Sequence, residues 1–160
     1  MSHIDIATIA APTIDLTNKG LVPEVLWNRL VGRIVIDEEM PRELAERIMD
    51  QTLGYLKLAS TVPEGHFSPS PLVDIGWHTF ILYTREYSLF CREITGGKFI
   101  HHEPTDDPNV PNESSGPYAT AEAMKSFGLS VDEPLWACFC KSDCSNCNGG
   151  QGCQCGSCKY

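Results

Sequence analysis

Apolar residues recur at helical spacing through the middle of the chain, and the pattern breaks only at proline- and glycine-rich points. The broadest stripe runs from Pro41 to about Ser60. There Leu44, Ile48, Thr52, Tyr55 and Ala59 share one side with Ala45, Met49, Leu53 and Leu56. Arg42, Glu43, Glu46, Arg47 and Asp50 fall on the opposite side, so the segment predicts an amphipathic helix with a solvated polar face. Upstream, Pro23 suits a first helical turn, and Val25, Leu26, Arg29, Leu30 and Arg33 follow at helical spacing. The next run, RIVIDEEM, either extends that helix or, through its β-branched residues, makes a short β-like connection.

Prolines 63, 69 and 71 and Gly65 end the long helix. Ser70 then reads as an N-cap with Pro71 at the first helical position, opening a helix to about Leu82. Thr84 reads as a second N-cap, for a helix over Arg85 to Ile94 that Gly96 and Gly97 stop. Lys98 to His102 read as a short extended piece, and residues 104–118 as a polar, turn-rich loop. A last short helix is expected from Thr120 to Phe127 with Gly128 as its C-cap, and Val131 to Trp136 lead out of it. The expected organisation is a loosely ordered arm over residues 1–20, a mainly α domain over 21–136 with one short extended segment, and an irregular tail over 137–160.

That tail changes the chemical picture. Seven of the eight cysteines lie in it, at positions Cys138, Cys140, Cys144, Cys147, Cys153, Cys155 and Cys158. Small and polar residues separate them, and beyond Trp136 the only sizeable apolar side chains are Phe139 and Tyr160. Such a segment buries too little apolar surface to offset its ordering entropy. It is therefore either disordered or held through its sulfurs, by metal ions or disulfides. The C-x2-C spacing is one that zinc uses, and C-x-C suits clusters in which one sulfur bridges two metals. Seven thiolates fall one short of two closed four-sulfur zinc sites, so a shared sulfur, Cys91 or a histidine would complete the set. Copper(I), content with two or three sulfurs, is equally served.

Charge and hydropathy narrow the partners. The formal net charge is −9 with 21 acidic and 12 basic residues and no basic run, which argues against nucleic acid and favours a protein partner with a basic surface. No apolar stretch approaches a membrane span, and the N-terminus lacks the basic start of a secretory signal, so a cytoplasmic location is expected.

Asp74, Trp77, His78, Tyr87, Cys91, Gly97, His101, His102 and Pro104, followed by Thr120, Met124, Phe127, Gly128 and Trp136, together resemble the glycine-rich domain-containing family of the DUF1399 type. The resemblance implies a helical domain with a D-x-x-W-H helix and a Y-x-x-x-C helix, a later histidine–proline element and a Gly/Cys-rich tail. It implies no activity.

The remaining candidate chemistry sits on those helices. Asp74 and His78 are four residues apart and share a helix face. His101 or His102, and Cys91 from the next helix, are further ligands that zinc accepts. The bland alternative makes Asp74 a first-turn carboxylate, His78 a buried hydrogen-bonding imidazole and Cys91 an ordinary buried thiol. No P-loop, dinucleotide fingerprint, nucleophile elbow or H-E-x-x-H occurs. The functional expectation is a helical domain whose tail binds zinc or copper through clustered thiolates. Two others stand beside it: a precursor in which residues 1–150 lead a cysteine-rich modified peptide, and a metal-dependent enzyme built on Asp74, His78 and His101 or His102.

Overall fold

A computed structural model describes residues 15–103 and 116–137. The tail cysteines, the leader boundary at residue 150 in the precursor reading and the first part of the N-terminal arm lie outside the described residues. Six helices make up the described fold: α1 (Glu24–Asp37), α2 (Arg42–Thr61), α3 (Pro71–Leu82), α4 (Thr84–Thr95), α5 (Gly116–Ser126) and α6 (Glu133–Trp136). No strand occurs among the described residues, and Lys98 to His102 run without regular structure.

The RIVID stretch completes α1, adding Ile34 to the buried stripe of Leu26, Trp27, Leu30 and Val31 while Ile36 stays exposed, as helical spacing rather than β alternation places them. Ser70 caps α3 as its sequence suggests: its Oγ accepts from the Val73 N–H at 3.2 Å and donates to the Leu135 carbonyl. Thr84 is not a cap but the first residue of α4, with Tyr83 in the capping position; the connection from α3 is a single residue. Helix α5 begins at Gly116, inside the stretch expected to be loop, and the short α6 replaces an irregular lead-out.

Helix α2 is the centre of the molecule, packed by α1, α3, α4 and α5. Its polar side is not solvated. Arg47, Asp50 and Gln51 are buried with Leu44, Ile48 and Leu53, and only its first turn keeps exposed charges. Asp50 accepts the backbone N–H groups of Asn18 (2.7 Å) and Lys19 (3.1 Å) and the Asn18 amide. Residues 15–20, expected to be loose, are thereby pinned to α2. Burial raises the Asp50 carboxyl above the ordinary range, and these donors oppose the rise.

On the other flank Arg47 makes a fork to Asp132 at 2.6 and 3.0 Å. Gln51 accepts from the Asp132 N–H and the Trp136 indole at 3.0 and 2.8 Å. The polar side of α2 thus binds the two flanking segments, which explains why a helix carrying these charges is covered all round.

Candidate metal centre

The C-terminal part of the core positions one cluster. Asp74 and His78 project from α3 one turn apart, and His102 reaches them from the irregular stretch after α4. His102 Nε2 stands 2.9 Å from Asp74 Oδ1, His78 Nε2 stands 3.3 Å from Asp74 Oδ2, and the two Nε2 atoms are 3.0 Å apart. The side chains are 33 % (Asp74), 61 % (His78) and 18 % (His102) exposed, so the cluster opens to solvent on the His78 side. His78 is therefore no buried structural histidine, as the bland reading required.

Hydrogen bonding alone leaves this triangle short of protons. An ionised carboxylate only accepts, and each Nε2 carries one proton at most, so with Asp74 ionised two protons at most serve three close contacts whichever tautomers the rings adopt. A metal ion replaces all three contacts at once. Donors on a tetrahedral zinc with bonds of about 2.0–2.1 Å stand about 3.3–3.4 Å apart. The two contacts to Asp74 end on different carboxylate oxygens, and one donor atom from each of the three residues lies within 4.8 Å of the other two, close enough for a single ion to draw them together.

The sequence left His101 and His102 unresolved as partners of α3, and the structure separates them. Ile100 packs against the core, and His102, two residues on, turns to the same side and lies on Trp77 with ring centroids 4.3 Å apart. His101 packs on Phe99 at 4.9 Å and is exposed. Period-two alternation from a half-buried isoleucine is the signal that distinguishes them. Cys91 is fully buried on α4 and stays outside the cluster.

Behind the cluster lies an aromatic layer that sequence reading did not connect to it. Trp77 Nε1–H donates to the Tyr87 hydroxyl at 2.8 Å, and that hydroxyl donates to the Ile100 carbonyl at 2.7 Å. Tyr55 packs on Trp77 at 5.2 Å and on Trp136 at 6.5 Å. Burial pushes the Tyr87 hydroxyl far above the ordinary tyrosine range; the Trp77 donor opposes the rise and the Cys91 thiol adds to it. Tyr55 is likewise pushed up, first by burial and then by the Asp74 charge. A shallow groove on the outside of α4, lined by Thr84, Arg85, Ser88, Leu89 and Arg92, shares no residue with the cluster.

No helix among the described residues is long and apolar enough to cross a membrane. Residues 23–116 match the sequence model of the UCP032817-like family, a match over more than half of the 160-residue chain. The chain belongs to that family. This overturns the resemblance to the glycine-rich DUF1399 type: the residues that carried it, Trp77, Tyr87 and Cys91 among them, record how α3 packs on α4, and such short patterns constrain packing more than ancestry. No curated protein and no solved structure matches the chain.

Proposed function

We propose that this UCP032817-like protein binds a divalent transition metal, zinc by its donor set, on the tripod of Asp74, His78 and His102. The observation that carries the reading is that one ligand atom from each of three side chains lies within 4.8 Å of the other two, although His102 is 24 and 28 residues from its partners in sequence. Nothing in a helix period brings His102 to α3. Two imidazoles and one carboxylate suit zinc, and a six-coordinate iron(II) accepts the same set. Three protein ligands leave at least one position for water on the exposed side. In a metal-dependent enzyme that water would be the nucleophile, its pKa lowered by the ion.

The seven tail thiolates form a second, softer ligand set, suited to zinc or copper in a reducing, cytoplasmic setting. Sulfur clusters and the tripod differ in donor type, so they are separable by experiment. An acidic surface favours a basic protein partner over nucleic acid. The test is elemental analysis of the full chain purified under reducing conditions, beside a full-chain variant with all seven tail cysteines replaced by serine. The reading expects about one equivalent of metal retained in the serine variant and lost on adding His102→Ala. A serine variant that holds no metal and takes up none on dialysis against zinc rejects the tripod.

A further inference from the structure

We infer that Tyr87 is the positioning residue of the metal site, holding His102 on the tripod through the backbone of Ile100. The inference rests on the metal-site reading above and goes beyond it, because Tyr87 touches none of the three ligands' donor atoms.

His102 needs such a device. Asp74 and His78 ride on α3, whose backbone fixes their separation, whereas His102 sits on a stretch with no ladder or helix of its own. That stretch leaves α4 through Gly96 and Gly97, both at positive φ (73° and 118°), a turn side chains other than glycine rarely make. Three attachments then steer it. Thr95 Oγ1 accepts from the Lys98 N–H at 2.7 Å, the Tyr87 hydroxyl donates to the Ile100 carbonyl, and the His102 ring lies on Trp77. Phe99 adds an edge-on contact to the Tyr87 ring at 5.3 Å.

Tyr87 is the hub of these contacts. It rises from α4, which is packed on α3, so the distance from α3 to Ile100 is set by two helices and one hydroxyl. The Trp77 N–H occupies a lone pair of that hydroxyl, which turns its proton toward Ile100. Trp77 also lies one residue from His78 and under the His102 ring, so the same indole orients the hydroxyl and backs the ligand. An imidazole held in this way reaches the metal already oriented, and removing supporting groups of this kind costs about 10–100-fold in metal affinity.

The experiment is a zinc titration, against a chromophoric competitor, of the full chain with its seven tail cysteines replaced by serine. Into that background go Tyr87→Phe, His102→Ala as the protein without the site, and Asp50→Asn as a structural control. Tyr87→Phe keeps the ring and its packing and removes only the hydroxyl. The expected result is roughly tenfold weaker zinc binding for Tyr87→Phe, no site in His102→Ala, and parental affinity in Asp50→Asn. Unchanged affinity in Tyr87→Phe overturns the inference. So does an equal loss in Asp50→Asn, which loosens the buried contacts to Asn18 and Lys19 away from the tripod and would mark a general structural effect.

Should Tyr87→Phe fail to fold, Trp77→Phe replaces it. It keeps an aromatic ring beneath His102 and removes the donor that aims the hydroxyl; a several-fold loss that Asp50→Asn does not share supports the relay, and an unchanged affinity refutes it. If the parent protein binds no zinc, the metal-site reading itself has failed. If the parent binds and the Tyr87 variant binds equally well, only the relay has.

Discussion

Gly76 lies between the two ligands of α3 and tests how closely that helix sits on α2. A Cβ added there would collide with Thr52 Oγ1 and stand 3.0 Å from Thr52 Cβ and 3.2 Å from Ile48 Cγ2. Thr52 cannot yield freely, because its hydroxyl is 2.8 Å from the Ile48 carbonyl and 2.9 Å from the Val73 carbonyl. Gly76→Ala therefore forces either a rotated threonine, whose buried hydroxyl then costs about 1–3 kcal/mol unpaired, or a displaced α3 at about 1–3 kcal/mol of overpacking. Better helix propensity returns about 1 kcal/mol. The net expectation is a loss of about 1 kcal/mol, read by urea unfolding, or about 4 °C in thermal midpoint for a domain of this size.

Thr52→Ala removes the colliding hydroxyl but leaves Cβ at its tight distance, so the double variant recovers part of the loss. A double-mutant cycle should give a favourable coupling of about 1 kcal/mol. A Gly76→Ala protein as stable as the parent, or more stable as propensity alone would make it, refutes the close approach of α3 to α2. So does a coupling of zero. The outcome bears on the metal site, since any shift of α3 carries Asp74 and His78 away from His102.

Further expectations concern the buried polar groups. Asp132→Ala removes the fork from Arg47, both buried, and should destabilise the protein by about 3–5 kcal/mol in urea unfolding; a loss below 1 kcal/mol contradicts the buried pairing. Tyr55 and Tyr87 hold their protons more tightly when folded than the unfolded value near 10. Their contribution to stability is complete below about pH 10 and is lost as pH rises through their raised values. Tyrosinate absorbance missing from a Tyr55→Phe/Tyr87→Phe variant should therefore appear in the parent together with loss of helix signal; ionisation with the helices intact counts against their burial.

Much of the fold was legible because helices announce themselves by period and punctuation. Ser70 and Pro71 mark the start of α3, and the apolar stripe of α2 is visible over its whole length. What the period misread was the other side of α2. Arg47 and Asp50 look like solvated charges because their partners, Asp132 and Asn18, stand 85 and 32 residues away in segments with no period. Thr84 resembled a cap because threonine favours that role, but a one-residue connection between α3 and α4 leaves the capping position to Tyr83.

The candidate site divides along the same line. Asp74 and His78 were a pair in the sequence because helix geometry places i and i+4 together. His102 was one of two candidates, since an irregular stretch has no stripe and its direction is set by Tyr87, Trp77 and Ile100. The link from Trp77 through Tyr87 to Ile100 spans three separate elements, and no local pattern encodes it. The cysteines of the tail are the denser candidate ligand set in the sequence, and among the described residues it is Asp74, His78 and His102 whose donor atoms the fold brings together.

The most direct measurement is zinc binding by calorimetry on the full chain with its seven tail cysteines replaced by serine, beside the same protein carrying His102→Ala. The account predicts one site per chain in the first and loss of that site in the second. Absence of zinc binding in the first, or an undiminished site in the second, would contradict it.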